Sequence, residues 1–346
     1  MNSPIRNWSE YNAGLKQRGS LTLWLNEDAI HHWYAPEQPA RRGSNRIYSD
    51  LAITTFETLK SVYGLAGRQT EEFLQSLLKL MQVDLSVPEH STVSRRKGTL
   101  SVPLAVKPNS SSIHLMVDST GVKVYGEGEW KTRQHGISKR RTWRKLHVAV
   151  NESTGEILCA EVTLNTVHDS EMLENLLEDI DDNASVEQVS ADGAYDTRRC
   201  YEVLQQKGAK AVIPPRKNAK IWQHGNCHGP AHPRDENLRF IRRHGRKSWK
   251  RHRGYHRRSI AETTMSRFKS TFGGTVKSRN FANQAAELRV KCAVLNRMIQ
   301  IAKPVTVWEA AWSLASASTS RLTIQSAFHY QCNNAKPLGK NDRIST

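Results

Sequence analysis

Residues 113–125, IHLMVDSTGVKVY, mark the point at which the chain changes from helical to extended patterns. The segment is rich in β-forming residues and ends near Gly126. Two further strand patterns follow, RTWRKLHVAVNEST at 141–154 and GEILCAEVTLN at 155–165, with a turn at 153–155 between them. Three successive strands are therefore predicted to begin this half of the chain.

Helix and strand patterns alternate beyond these strands. A helix pattern at 169–180 is followed by a strand at 186–195, VEQVSADGAY, a helix at 196–208 and a strand at 210–215. Three consecutive strands followed by alternating helices and strands predict an α/β fold with a mixed five-stranded sheet and flanking helices.

The first hundred residues have helical patterns. One predicted helix covers 51–64, with Ser49 or Asp50 as its cap and Gly64 at its end. A second covers 70–81 and carries its apolar residues on one side, which is typical of a helix packed against a core.

A short basic helix is predicted after a turn at 83–90. It covers 91–98, STVSRRKG, with Ser91 as its cap and with Arg95 and Arg96 pointing outward. A helix, a short turn and a short basic helix are the arrangement of a helix-turn-helix. An ordinary helical domain with a basic end is the alternative that the pattern leaves open.

These patterns divide the chain into three predicted regions. Residues 1–105 form an all-α region with the helix-turn-helix-like segment, and residues 106–303 form the α/β domain. That domain includes a basic insertion at 216–254, rich in Gly, His and Pro, and ends in a helical stretch at 283–302. Residues 304–346 are rich in Ser, Ala and Asn, which predicts a poorly ordered tail.

The charge of the chain points to an anionic partner. Its 346 residues carry a formal net charge of +18, and the pI is about 9.8. So large an excess opposes compaction and is usually neutralised by a polyanion, nucleic acid first and an anionic membrane surface second. The basic residues do not form an apolar-faced amphipathic helix, and no apolar run reaches the ~20 residues of a membrane span. We therefore predict no membrane partner.

Cysteine usage and the N-terminus bear on the compartment. The five cysteines are widely spaced in a large chain, which favours reduced thiols. The first residues, MNSPIRNWSEYNAG, lack the apolar segment of a signal peptide. Both observations predict a soluble, cytoplasmic protein.

Two aspartates follow apolar strand segments. Asp118 is predicted at the end of the first strand, in MVDSTG, and Asp192 at the end of the fourth, in VSADGAYD. Strand ends border the ligand crevice of an open sheet, and a poorly solvated carboxylate there needs a cation. Each Asp alone is also compatible with a helix cap or a turn residue.

One helix face collects a carboxylate and three phosphate-binding groups. In residues 255–269, YHRRSIAETTMSRFK, the side chains of Tyr255, Arg258, Glu262 and Lys269 fall at roughly 0°, −60°, −20° and −40° on a helix. Half of residues 239–258 are Arg or Lys, and none is acidic. A lone Glu in such surroundings is a metal ligand that works against a polyanion or, alternatively, one member of a solvated charge-pair face.

Three carboxylates have a chemical use on a polyanionic substrate. A phosphodiester repels an anionic nucleophile, and two divalent cations about 3.5–4 Å apart bind the scissile phosphate and activate the attacking oxygen. Carboxylate oxygens are ligands that suit Mg²⁺, while surrounding Lys and Arg bind DNA phosphates.

The segments MVDSTG, ADGAYD and Y-x2-R-x3-E-x6-K resemble the three signature regions of DDE transposases of bacterial insertion sequences, in particular the insertion sequence 5 group. The strand regions RTWRKLHVAVNESTGEI and VIPPRKNA are also similar, and the resemblance covers roughly residues 20–303. It implies an RNase H-like catalytic domain and N-terminal helices that bind terminal inverted repeats.

The resemblance also implies roles for single residues. Asp118, Asp192 and Glu262 would form the catalytic, metal-binding triad, with two Mg²⁺ ions as cofactor and Mn²⁺ as a substitute. Tyr255, Arg258 and Lys269 would position the transposon-end strand.

The function implied is cut-and-paste DNA transposition. The enzyme would bind double-stranded DNA at its element ends, hydrolyse phosphodiesters there and join the 3′-OH ends to target DNA. Two ends must be processed together, which implies a homodimer or a higher synaptic complex, associated with the bacterial nucleoid. Two alternatives stay open: a metal-dependent nuclease without strand transfer, and a domesticated or inactive transposase that acts as a sequence-specific DNA-binding protein.

Further residues are candidates for DNA contact or for structure. The basic segment 131–145, which includes Arg144 and Lys145, favours a phosphate track over a merely solubilising loop. The His/Cys-rich run at 224–232 matches no standard zinc spacing and favours a DNA-contacting loop. Ordinary packing is favoured over base stacking for Trp222 and Trp249, a structural role for His147 and His168, and a helix-cap role for Asp196.

Overall fold

The computed structural model describes residues 5–25, 27–36, 46–104, 112–124, 143–180, 185–223 and 231–305. Residues Ser9–Lys303 form one compact unit. A second unit comprises Met1–Trp8 and Pro304–Thr346, and in its described part the Arg6 amide donates to the Val305 carbonyl at 2.8 Å. The predicted tail after 305 and most of the basic segment 131–145, up to residue 142, lie outside the described residues.

The sheet is mixed, as predicted. Its strands are β1 (Ile113–Val124), β2 (Trp143–Asn151), β3 (Ile157–Leu164), β4 (Val186–Ser190), β5 (Lys210–Val212) and β6 (Thr275–Val276). The order is β3-β2-β1-β4-β5, with β6 beside β1. Strands β1 to β3 are antiparallel neighbours, whereas β4, β5 and β6 run parallel to β1. The α/β class and the flanking helices are confirmed, and the sixth strand is an addition to the prediction.

Helices pack on both faces of the sheet, and the helices before β1 pack with the last helix of the chain. Among the described residues they are α1 (Trp8–Gln17), α2 (Leu21–Trp24), α3 (Glu27–His31), α4 (Asp50–Tyr63), α5 (Gly67–Leu80), α6 (His90–Arg96), α7 (Leu173–Glu178), α8 (Arg198–Gln206), α9 (Pro233–His252), α10 (Ser259–Phe272) and α11 (Phe281–Ile301). None of these helices has the length and apolarity to cross a membrane.

Alternation along β1 decides which face each side chain meets. Leu115 and Val117 pack with α7 and α8 on one side of the sheet. Met116 packs with α10 and α11 on the other. Asp118 follows Met116 at the strand period of two, so its side chain is directed to the α10 side.

The helices before β1 share a core with α11. Trp33, Phe56 and Leu74 are buried together with Val290 and Val294 of α11. The sequences on both sides of the predicted boundary at 105/106 therefore contribute to the same compact unit.

One of the two predicted N-terminal helix caps is present and the other is not. The Ser49 hydroxyl accepts from the Ala52 amide at 3.0 Å, and Gly64 has φ +68°, so both ends of α4 are confirmed. The predicted Ser91 cap is wrong, because α6 begins at His90. The amide and ring Nδ1 of His90 both bond to one oxygen of Glu71, at 3.0 and 2.8 Å, so a carboxylate from α5 holds this helix start.

About half of the insertion at 216–254 is helical. Helix α9 occupies most of its second half, with a break at Gly245, where φ is +79°. The prediction of a DNA-contacting loop at 224–232 falls on residues 224–230, which lie outside the described part, and on residues just before α9.

The cysteines of the described residues are free thiols, as predicted. Cys159, Cys200 and Cys292 are buried and unpaired. Burial raises the pKa of Cys292 to about 12 and makes its thiol unreactive near neutrality. Cys227 and Cys332 lie outside the described residues.

Candidate catalytic site

Asp118 lies in the middle of β1, opposite Val148 of β2, and not at the strand end that the sequence predicts. The strand continues past Asp118 to Val124, and its Gly121 lies against a large neighbour. A Cβ at Gly121 would lie 3.2 Å from the ring of Trp143, whose backbone pairs with Lys123. The carboxylate is 16% exposed, and its Oδ1 accepts from the Ser119 amide at 2.9 Å.

Arg258 brings Asp118 and Glu262 together. Its Nη2 lies 3.2 Å from Asp118 Oδ1, and its Nη1 lies 2.7 Å from Glu262 Oε1. Arg258 is 14% exposed, whereas Glu262 is 61% exposed on the first turn of α10. One guanidinium therefore separates two carboxylates that are remote in the sequence.

Asp192 stands in the turn after β4, close to the strand end that the sequence predicts. Its Oδ1 accepts from the Ala194 amide at 2.8 Å and caps the 3-10 turn Gly193–Tyr195. Burial is the main reason that the pKa of Asp118 is raised; Arg258 and the Ser119 amide oppose the rise, and the Asp192 charge adds to it. The two aspartates thus belong to one electrostatic site.

Tyr255 belongs to the same site but not to an α-helix. Residues Tyr255–Arg258 form a 3-10 turn that precedes α10, so the prediction of one continuous helix face is wrong at its start. The Tyr255 ring lies 5.6 Å from the Trp249 ring. Burial raises its pKa; Arg258 opposes this, and Asp192, Glu262 and Asp118 reinforce it. Lys269 is exposed in the last turn of α10.

The donor set suits Mg²⁺, although it is not assembled around a common point. Three carboxylates provide the hard oxygen ligands that this ion prefers. Within the described ranges, no group of three or more His, Cys, Asp or Glu side chains is arranged to hold a metal ion. The cation between Asp118 and Glu262 is the Arg258 guanidinium, so metal binding by all three acids requires this side chain to turn away.

The predicted DNA-contacting arginines and lysine are partly engaged within the protein. Arg96 bonds to the Tyr48 carbonyl and to Asp50. Arg95 is exposed, and its only partner in the described part of the chain is Thr92 of its own helix, at 3.1 Å.

The two basic residues of β2 are also tied to neighbours. Arg144 donates to Gln284 Oε1 at 2.7 Å. Lys145 donates to Asp169 at 2.9 Å and to the Val167 carbonyl at 2.8 Å. Arg95 is thus better placed for an external ligand than Arg96, Arg144 or Lys145.

A buried ion pair that the sequence does not predict lies next to the site. Asp196 is not the cap of α8, since Thr197 fills that role with a 3.3 Å bond to the Cys200 amide. Both Asp196 oxygens instead accept from Arg234, at 2.6 and 3.1 Å, with side chains that are 0% and 4% exposed. The pair fastens α9 to the loop that carries Asp192.

Arg216 strengthens the same loop. Its amide donates to Asp196 Oδ2 at 2.9 Å, and its side chain donates to the Gly193 carbonyl at 3.2 Å. The sequence contains no periodic signal for these contacts. Only the four-residue spacing between Asp192 and Asp196 could have drawn attention to the pair.

The two tryptophans of the insertion have packing roles. Trp249 is fully buried, and its Nε1 donates to Asn237 at 3.0 Å. The Arg234 guanidinium lies 3.9 Å from the Trp222 ring centre, and His232 packs against the same ring at 5.1 Å. His224, Cys227 and His228 lie outside the described residues.

His147 provides a prediction for the pH dependence of stability. The side chain is fully buried in β2 beside Thr163. Burial lowers its pKa from 6.5 to about 4; Asp169 opposes the shift and Lys145 favours it. Between these two pH values the unfolded chain binds more protons, so the free energy of unfolding falls as the pH falls, by about 3 kcal/mol from this group.

His147→Gln should flatten that dependence. We expect the stability difference between pH 6.5 and pH 4, measured by chemical denaturation, to be smaller in this variant than in the wild type. Parallel pH profiles for the two proteins would show that His147 is not the titrating group.

Comparison with known proteins identifies the family. A family model described as a transposase DDE domain matches residues 109–297, more than half of the chain, and a second model with the same description matches residues 16–127. The chain is also similar to a solved structure, a piggyBac transposase synaptic complex with hairpin DNA, with 12% identity and a TM-score of 0.41 over 93% of this chain and 80% of that chain. The extent of the first match shows that the chain belongs to the transposase DDE domain family.

Proposed function

We propose that this transposase catalyses cut-and-paste transposition of its own element. It binds double-stranded DNA at terminal inverted repeats, hydrolyses phosphodiesters there and joins the 3′-OH ends to target DNA. The observation that supports this most strongly is the convergence of Asp118 and Glu262 on Arg258, with the charge of Asp192 also acting on the Arg258 guanidinium. Membership of the insertion sequence 5 group is part of this proposal.

Three carboxylates would hold the metal ions. Asp118, Asp192 and Glu262 would be the oxygen ligands, and Mg²⁺, or Mn²⁺ in its place, would supply positive charge at the scissile phosphate and favour ionisation of the attacking oxygen. Asp118 stands on a central strand and Asp192 on a clamped turn, so both are held rigidly. Glu262 stands on a helix and is mostly exposed, so its carboxylate is free to adjust.

On DNA binding, Arg258 would release the carboxylates of Asp118 and Glu262 and bind a DNA phosphate instead. Without DNA its guanidinium balances Asp118 and Glu262. A DNA phosphate offers the same guanidinium a charge-assisted bidentate contact. Binding of the DNA strand by Arg258, together with Tyr255 and Lys269, would therefore release the carboxylates for metal ions. In this account the site becomes active only when its substrate is present.

The activity test uses a DNA that carries both element ends. We expect the purified protein to cut this DNA at the ends with Mg²⁺, to lose activity with a chelator, and to join the freed ends to a second DNA. Cleavage without joining would indicate a metal-dependent nuclease. Binding without cleavage would indicate a sequence-specific DNA-binding protein. The joining reaction requires two ends at once, so a homodimer or a larger synaptic complex should form on paired ends.

DNA affinity should depend steeply on salt. The chain has 51 Lys and Arg residues against 33 Asp and Glu. If the protein contacts roughly 6–10 phosphates, counterion release predicts a loss of about 10³–10⁵ in affinity between 50 and 200 mM salt. Fluorescence anisotropy with labelled end DNA measures this dependence. A flat response would contradict a polyanion as the partner of the +18 charge.

A further inference from the structure

A cationic cavity lies between α6 and the loop before α11. Its volume is about 410 Å³, and its lining includes Lys60, Lys97, Lys277, Arg279 and His90. Glu57 is the acidic residue of that lining. The cavity lies apart from Asp118, Asp192 and Glu262, none of which lines it.

The floor of the cavity is a neutralised network. Glu57 accepts from Lys97 at 2.6 Å and from Lys60 at 3.0 Å, and Lys97 is 2% exposed. Glu287 lies behind Lys97 at 3.7 Å and pairs with Lys291 at 2.8 Å. Burial opposes ionisation of Glu287, yet Lys291 and Lys97 hold its pKa at about 2. Both acids, Glu57 and Glu287, are therefore already paired with lysines of the protein.

The rim of the cavity carries two cationic side chains that are not paired with acids among the described residues. Lys277 and Arg279 are exposed, and neither side chain has a hydrogen bond or ion pair with another described residue. With the acids of the floor already paired, the charge facing the opening is positive. The cavity is thus suited to an anionic ligand.

The loop that carries these cations is held rigidly. Glu287 accepts from the amides of Lys277 and Ser278, at 3.1 and 3.0 Å. Gln284 donates to the carbonyls of Ser278 and Arg279, at 3.0 and 3.2 Å. A fixed backbone that carries two cationic side chains with no partner among the described residues is a prepared binding surface, because the ligand need not order the backbone.

The same loop is fixed to α6. Asn283, at the start of α11, donates to the Ser94 carbonyl at 2.9 Å. Arg95 is exposed on α6, whereas Arg96 is tied to Asp50. The loop that carries Lys277 and Arg279 is therefore held at a fixed distance from Arg95, and a DNA duplex bound to α6 could contact both.

We propose that Lys277 and Arg279 bind phosphodiester groups of the DNA backbone and seat the element end against α6. The inference rests on the proposed function. The contacts are to phosphates, so they set the register of the duplex and add affinity without reading its bases.

The test compares two double variants of the full-length protein that remove equal charge. Lys277→Ala with Arg279→Ala removes the rim cations; Lys210→Ala with Arg297→Ala removes two exposed cations, also one Lys and one Arg, from β5 and from the C-terminal part of α11. Binding of labelled end DNA is measured without metal, so that cleavage does not contribute. We expect the rim variant to bind about tenfold more weakly, with a salt dependence reduced by about one unit for each lost contact. Lys277→Arg with Arg279→Lys should restore binding.

The thermal midpoint, the DNA affinity and the salt slope together distinguish the possible outcomes. An unchanged thermal midpoint shows that the rim variant is folded, which we expect because both side chains are exposed. Equal affinity and equal salt slopes for the rim variant and the control variant would overturn the inference while the proposed function stands. Failure of the wild type itself to bind end DNA would overturn both.

Discussion

Asp118→Asn, Asp192→Asn and Glu262→Gln are each expected to abolish cleavage of element ends while DNA binding persists. Each change removes one negative charge and keeps the size of the side chain. Metal ions contribute several kcal/mol of transition-state stabilisation in phosphoryl chemistry, and loss of a ligand should therefore reduce the rate by about 10³-fold or more.

The folds of these variants should survive. At both aspartate positions the substituted amide side chain keeps a carbonyl oxygen, which can still accept from the Ser119 and Ala194 amides that bond to the native carboxylates. Rates are measured by gel assay on end DNA, and affinities by anisotropy. Glu174→Gln, which changes an acid in the Arg199 surface pair, is the matched control and should cleave normally. Full cleavage by any one of the three variants would remove that residue from the site.

Arg234→Met is expected to lower the free energy of unfolding by about 3–5 kcal/mol. The change leaves the carboxylate of Asp196 buried, with only the Arg216 amide as its partner among the described residues. A buried charge without its counterion is costly because the protein interior solvates it poorly. Chemical denaturation at neutral pH measures the loss.

Removing both charges should cost less than removing one. We expect Asp196→Leu with Arg234→Met to be more stable than Arg234→Met alone, since no unpaired charge is then buried. A loss below about 1 kcal/mol in the single variant would be typical of a surface ion pair. The Asp196–Arg234 pair would then contribute little to holding α9 against the loop that carries Asp192.

The sheet could be predicted because its strands carry their pattern locally. The apolar runs at 113–117 and 146–150 mark the central strands, and a turn separates β2 from β3 as predicted. β6 consists only of Thr275 and Val276, too short for any periodic signal, and it pairs with the last two residues of β1 after α10 has brought the chain there.

Helix α9 shows a second limit of sequence patterns. The polar, basic composition of 239–253 has no apolar stripe, so the sequence analysis describes this part only as a basic insertion and predicts no helix in it. The helix forms around a few anchors, with Trp249 and Leu238 both buried. Tertiary packing of these residues outweighs the weak local preference.

The residues of the candidate site could be named from the sequence, but their arrangement could not. Acidic residues after apolar strands pointed to Asp118 and Asp192, and helix spacing pointed to Arg258 and Glu262. The placement of the guanidinium between two acids depends on how α10 packs on the sheet, which is a long-range contact. The same reason hid the Asp196–Arg234 pair, whose partners are 38 residues apart.

We propose that Asp118, Asp192 and Glu262 share metal ions when DNA is bound. Electron paramagnetic resonance of Mn²⁺ titrated into the complex with end DNA detects such sharing. We expect a spin-coupled pair of Mn²⁺ ions in the wild type, and loss of this signal in Asp192→Asn. A wild-type complex without coupled ions, or an unchanged signal in that variant, would show that these carboxylates do not share metal ions.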